Sequence, residues 1–188
     1  MFFFFFSKPY ISVVGEIVDA QDLHDRAKVQ KKLETALEDI NRRHEDDISA
    51  KFMTTIGDKI QGLVCRGASI LAILNEIKNR MHPVKIRFGI GIGEITTEIK
   101  EDMAIAAHGP GYEKAREAIR YLRANENKKQ TALSDIRVEA VGDHKERMRL
   151  INTIFALITA LEYSWSDRQR EIIYDMMKHQ DKQSGAAK

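Results

Sequence analysis

Cysteine is nearly absent: Cys65 stands alone among 188 residues, which excludes an internal disulfide framework and any zinc cluster built on cysteine. Histidine is sparse and scattered, with no H-x-H or H-x-x-x-H spacing among the six, so a histidine-rich metal site is not expected. No apolar run approaches the roughly 20 residues that a membrane span needs. The five phenylalanines Phe2–Phe6 are far too short, and they lack the basic start and small-residue cleavage site of a secretory signal. Charge of one sign is also lacking. A formal net charge of +2 gives no basic field over the whole surface of the kind that draws proteins to nucleic acid. A hydrophobic share of 43% and a charged share of 31% fit a globular cytoplasmic protein with one sizeable core and an appendage.

What is present is a strand of unusual make-up, V-K-I-R-F-G-I-G-I-G at 84–93. Side chains alternate between the faces of a strand, so Val84, Ile86, Phe88, Ile90 and Ile92 form one apolar stripe. Lys85, Arg87, Gly89, Gly91 and Gly93 fall on the other face. A sheet surface stripped of side chains admits close approach to the backbone. The occupant is either a packed helix or a flat or anionic ligand beside Lys85 and Arg87.

Periodicity supplies the rest of the core. Residues 10–18 are rich in β-branched side chains and read as a buried strand. Residues 26–43 carry Val29, Leu33, Ala36, Leu37 and Ile40 on one helical face. Two short strands, 51–56 and 59–64, flank Gly57-Asp58, a two-residue hairpin turn with glycine first. Residues 69–81 form a second amphipathic helix that stops at His82-Pro83. The order β-α-β-β-α-β defines an α+β, ferredoxin-like core with sheet order 4-1-3-2. Further on, residues 110–122 read as a basic helix with Ala115, Ile119 and Leu122 inward, and 135–141 as a fifth strand. Residues 147–163 form a helix whose stripe is Met148, Ile151, Ile154, Phe155, Ile158 and Leu161. The chain thus divides into an extension (1–9), an α+β domain (10–143) and a helical C-terminal region (144–188).

This topology brings the end of the first strand to the hairpin. Glu16 and Asp19 then converge on Asp58, with Glu16 and Asp58 within about 8 Å, a spacing that suits a hard cation such as Mg²⁺. Lys59, Lys85 and Arg87 are placed to neutralise phosphates bound there. The alternative is a solvated Asp58 and a Glu16 paired with Lys85 or Arg87. At the tail, Ser166-x-x-Gln169 fits a capping box that opens a helix. The stretch 179–188 reads as a turn and the start of another helix, so the tail has the form of a helix-turn-helix cut short, with Arg168, Arg170 and Lys182 available to DNA phosphates.

Three segments resemble the SatD family of bacterial proteins: V-V-G-E-I-V-D-A at 13–20, T-T-I-G-D-K-I-Q-G-L-V at 54–64, and I-R-F-G-I-G-I-G-E-I with H-G-P-G-Y-E-K-A-R-E-A within 86–118. The tail W-S-D-R-Q-R-E-I-I is similar to that family's opening of a C-terminal helix-turn-helix. The core also resembles class III nucleotide cyclases and palm-like polymerase domains. That resemblance implies Glu16 at the place of a metal-binding Asp, Asp58 in the hairpin's I-G-D, and Arg116 near the place of a catalytic arginine, one residue out of register. It implies a homodimer as well. Three readings follow. One is a regulator that senses a nucleotide or similar anion and contacts DNA through its tail. Another is a Mg²⁺-dependent nucleotidyl or phosphoryl transferase, and a third is a non-catalytic dimerisation module.

Overall fold

A computed structural model describes residues 10–55, 59–126, 128 and 134–185, the side chains of Asp22 and of 178–185 excepted. Strand β1 (Tyr10–Ile17) lies in mid-sheet, antiparallel to β3 (Lys59–Val64) on one side and to β4 (Ile86–Gly93) on the other. Strand β2 (Ile48–Thr54) pairs with β3, and β5 (Ile136–Ala140) runs parallel to β4, giving the order β2-β3-β1-β4-β5. The first four strands have the anticipated order, and β5 extends the sheet at the β4 edge. Phe2–Phe6 and Asp58 lie outside the described residues.

Helices α1 (Arg26–Arg43) and α2 (Ile70–Met81) cover one face. Asp25 caps α1 by accepting the Lys28 N–H at 3.0 Å, satisfying one of the orphan donors of the first turn. Leu33, Leu37 and Ile40 of α1 and Ile73, Leu74 and Ile77 of α2 meet Val13, Ile60, Ile86, Phe88 and Ile90 in the main core. The apolar stripe of β4 therefore packs as its alternation dictates.

The opposite face is not open. Helix α3 (Pro110–Asn125) lies across it. A Cβ at Gly91 would stand 1.9 Å from the Gly111 carbonyl oxygen, and one at Gly89 would stand 2.2 Å from that of Ala115. The glycines bring a helix, not a ligand, onto the sheet. Ala115, Ile119 and the fully buried Tyr112 join Val14 and Leu63 in a second core there, and the Tyr112 hydroxyl donates to Gly62 O at 3.0 Å.

Helix α4 (Lys145–Ser164) returns to the first face and seals the free edge of β5. Val138 N–H donates to Asn152 Oδ1 at 2.7 Å, and Asn152 Nδ2 donates back to Val138 O at 2.9 Å. The Asp135 N–H donates to Thr159 Oγ1 at 3.1 Å. An edge strand left bare would invite pairing with another chain. The stripe expected on α4 is only partly inward: Phe155 is buried and Met148, Ile151 and Ile158 pack on the core, but Ile154 and Leu161 are 47% and 60% exposed. Lys78 ties α4 to α2. Its ammonium, 10% exposed, pairs with Asp135 at 3.1 Å and with Glu162, and the Tyr163 hydroxyl donates to Asp135 at 2.9 Å.

Helix α5 (Asp167–Gly185) opens with the capping box: Ser166 N–H donates to Gln169 Oε1 at 2.9 Å and Gln169 N–H to Ser166 Oγ at 3.3 Å. It then continues unbroken to Gly185, so the turn expected after Met177 is absent. The segment has no Gly or Pro before Gly185 to stop it. Among the described residues no helix is long and apolar enough to cross a membrane.

Two stability measurements follow. Gly91→Ala inserts a methyl into backbone and is expected to cost about 3 kcal/mol in urea denaturation, the upper range for overpacking. Gly67→Ala meets only the Ile11 side chain, at 3.3 Å, and should be tolerated. Lys78→Met leaves Asp135 and Glu162 buried without their counter-ion and should cost about 3–5 kcal/mol. Burial pulls the Lys78 pKa down, but Asp135 and Glu162 outweigh it and hold it above the ordinary 10.5. A raised lysine pKa stabilises the fold fully below 10.5, and the contribution fades as pH rises through the higher folded value. Wild-type stability should therefore fall above pH 10.5 by more than that of the Lys78→Met variant.

Candidate functional site

Alternation along β1 turns Ser12, Val14 and Glu16 toward α3. Glu16 is 7% exposed and stands opposite Lys59 on β3 and Arg87 on β4. Its Oε1 accepts from Arg123 Nε at 3.2 Å and lies 3.4 Å from Arg87 Nε, and its Oε2 pairs with Arg123 Nη2. Arg87 Nη2 donates to Glu126 Oε2 at 2.7 Å. Arg123, Glu16, Arg87 and Glu126 thus form one alternating chain of charge. Arg87 Nη1 is buried, and no described residue bonds it. The hydrogen bond and charge of Glu16 raise the Arg123 pKa.

This chain separates two cavities. The smaller, about 330 Å³, is lined by Glu16, Lys59, Gln61, Arg116, Arg120 and Arg123 among others. The three arginines recur at i, i+4 and i+7, which puts them on one flank of α3. Lys59, Arg116 and Arg120 make no ion pair with any described residue. Among the described residues four cations face a single carboxylate, and that carboxylate is already matched by Arg87 and Arg123. The larger cavity, about 830 Å³, lies on the β5 side and includes Asp19, Lys85 and Arg87. Several of its cations are engaged. Lys85 sits 4.6 Å from the centre of the Tyr163 ring, Arg137 sits 3.5 Å from that of Tyr121, and Arg137 also pairs with Glu139 at 2.6 Å. Charge that no described residue compensates, more than volume, distinguishes the smaller cavity.

The residues singled out in the sequence are therefore divided. Glu16, Lys59 and Arg116 come together at the smaller cavity. Asp19, Lys85 and Arg87 line the larger one, with Asp19 exposed in left-handed backbone at φ 51°. Gly89, Gly91 and Gly93 are covered: the Cβ positions of all three meet backbone of α3. Arg170 donates to Glu162 O at 2.7 Å and lies over the Trp165 ring, while the Lys182 side chain lies outside the description. The Glu16–Asp58 distance likewise falls outside it. Among the described residues no group of three His, Cys, Asp or Glu side chains could hold a metal ion. The Glu16 carboxylate, held by two guanidinium groups, does not offer the free oxygens that a divalent cation takes. Sequence reasoning missed Arg120 and Arg123. The signal was there: once Ala115, Ile119 and Leu122 are inward, the residue after each faces one common flank.

Glu16→Ala tests the charge chain. It leaves Arg87, with a side chain only 8% exposed, leaning on Glu126 alone, and should cost about 3–5 kcal/mol by chemical denaturation in metal-free buffer. A Glu16 waiting for a cation would give the opposite result, because removing an unpaired buried carboxylate stabilises.

No curated protein matches the chain. Two solved structures, each titled as a bacterial light-regulated adenylyl cyclase, are similar to it in shape. The first has a TM-score of 0.49 and 9% identity, over 69% of this chain and 74% of the other. The second has a TM-score of 0.48 and 11% identity, over 69% of this chain and 42% of the other. The sequence profile of the SatD family matches residues 10–186, so nearly the whole chain, from β1 into α5, belongs to the SatD family.

Proposed function

We propose that this chain is a regulatory domain that binds a phosphate-bearing small molecule, of the nucleotide class, in the smaller cavity. The observation that carries the reading is the convergence of Lys59, Arg116, Arg120 and Arg123 on about 330 Å³ whose one described acid is already paired. Guanidinium groups present forked donors that match phosphate oxygens. Arg116 and Arg120 form no ion pair with any described residue and can meet an anion without giving one up, while Arg123 is shared with Glu16. The volume is at the lower end for ligand pockets and suits the phosphate and sugar of a mononucleotide.

Binding is the proposed role, with no chemical step assigned. Phosphoryl transfer depends on charge stabilisation at a metal-held phosphate, and Glu16 spends its carboxylate on arginines. The DNA-contacting role expected of Arg168, Arg170 and Lys182 is not part of the proposal, since Arg170 is committed to Glu162 O and Trp165.

Calorimetric titration with nucleoside mono-, di- and triphosphates checks the reading. Wild type should bind at least one of them, more weakly as salt rises, and equally well with or without EDTA. The Arg116→Ala/Arg120→Ala double variant removes two charge-assisted contacts worth about 1.5 kcal/mol each, which is a loss of about a hundredfold. No binding by wild type at millimolar nucleotide overturns the proposal. Mg²⁺-dependent turnover of the nucleotide replaces it with the transferase reading.

A further inference from the structure

The seal along the outer edge of β5 stops one residue pair short of the strand's end. Odd-numbered residues of this segment turn their backbone groups to β4: Asp135 O accepts from Phe88 N–H at 2.7 Å, and Val141 N–H donates to Ile92 O at 2.9 Å. Ile136, Val138 and Ala140 therefore turn theirs outward. Ser134 Oγ donates to Ile136 O at 2.7 Å, and the Asn152 carboxamide takes both groups of Val138. Ala140 is half-buried, and no described residue bonds its outward N–H or C=O. It lines the larger cavity together with Met148 and Asn152.

The neighbouring pair shows what such an edge takes. Asn152 accepts from Val138 N–H at 2.7 Å and donates to Val138 O at 2.9 Å, so a single carboxamide spans the donor and the acceptor of one residue. A strand from another chain would need further outward pairs. Asn152 already holds the one before Ala140, and after Val141 the chain turns at Gly142, φ 94°. The open position thus suits one amide group and not a strand. Charge does not call for an ion there. Lys114 pairs with Glu117 at 2.7 Å and Arg137 with Glu139 at 2.6 Å, and the remaining cations of the α4 wall, Lys145 and Arg149, are exposed to water. We propose that the larger cavity is a second ligand site, for a small neutral molecule whose amide N–H and C=O lie side by side, a lactam or a primary carboxamide, anchored on Ala140. The cavity, about 830 Å³, has space for a body beyond the amide, and Tyr121 and Met148 offer that body apolar surface. This site does not depend on the anion reading of the smaller cavity.

Nuclear magnetic resonance titration of the isotope-labelled full chain with valerolactam tests the proposal. Binding should be of about millimolar strength, as for a fragment of this size. The Ala140 amide proton should move downfield, while that of Val138, already bonded to Asn152, stays in place. N-methylvalerolactam lacks the donor and should bind about tenfold more weakly, the value of one hydrogen bond. Ala140→Pro removes the outward N–H at a position where proline costs the ladder no bond, and should also lose about tenfold or more. Arg116→Ala/Arg120→Ala should bind valerolactam as the wild type does. No shift at Ala140 up to about 20 mM lactam overturns the proposal. So does equal binding of the N-methyl compound, a comparison made in the unaltered chain and independent of how Ala140→Pro folds. Loss of binding in the Arg116/Arg120 variant overturns it as well, because the lactam would then sit in the smaller cavity. An equal shift of Ala140 with acetate does the same, because the position would then be an anion site.

Discussion

Where β4 and α3 touch, two backbones meet with no side chain between them: Gly91 faces Gly111 so closely that a single Cβ would lie 1.9 Å from the opposing carbonyl oxygen. Much of the second face of the sheet depends on this contact. It lowers α3 onto the sheet far enough for Ala115 and Ile119 to complete the smaller core and for Tyr112 to reach Gly62 O. It also sets the height of Arg123, two turns beyond Ala115, over Glu16 of β1. A bulkier β4 would lift the helix, open the core and break the ion chain at once.

That ion chain has a consequence for how the two cavities relate. Glu16 lines the smaller and Arg87 the larger, and the two are in contact at 3.4 Å. Arg123 is the exposed member, with a side chain 60% exposed, while the side chains of Glu16 and Arg87 are only 9% and 8% exposed. An anion in the smaller cavity competes with Glu16 for Arg123. Any turn of Arg123 toward such an anion leaves Glu16 to Arg87, whose Nη1 has no described partner of its own. The low dielectric of the site makes such an exchange costly to leave half done, so the buried pair, not the exposed arginine, sets the resting geometry.

Much of the fold was legible in the sequence because periodicity reports burial directly. The bounds of α1 and the fifth strand followed from it, and so did the inner face of α3. The capping box at Ser166 was legible for a different reason, since a capping box is a local device that tertiary structure rarely overrides. What was not legible were matters of occupancy. Alternation along β4 shows that one face lacks side chains but not what fills the space, and only the placement of α3 decides that. The same limit applies to Glu16. Its neighbours Lys59 and Arg87 follow from strand register, while Arg123 arrives from a helix 107 residues later in the chain. The tail misled for a compositional reason. Polar, helix-tolerant residues after Met177 read as a turn, yet nothing in them breaks a helix, and α5 runs through.

Helix α4 shows why a stripe on a helical wheel is an ambiguous signal. Met148, Ile151, Phe155 and Ile158 and the row Leu150, Ile154, Leu157 and Leu161 overlap in one broad apolar arc, and the stripe read from the sequence takes Ile154 and Leu161 of that row as core. The polar residues on the same helix settle the division. Asn152 and Thr159 must face β5, because the Val138 and Asp135 backbone groups they satisfy would otherwise be orphaned at the sheet edge. Glu162 must face Lys78, since a carboxylate 4% exposed cannot stand unpaired. These three fix the rotation of α4 about its axis, and the rotation they impose turns Leu150, Ile154, Leu157 and Leu161 outward. The exposed row is thus a consequence of satisfying buried polar groups. A core packed for apolar contact alone would have rotated the helix to hide it.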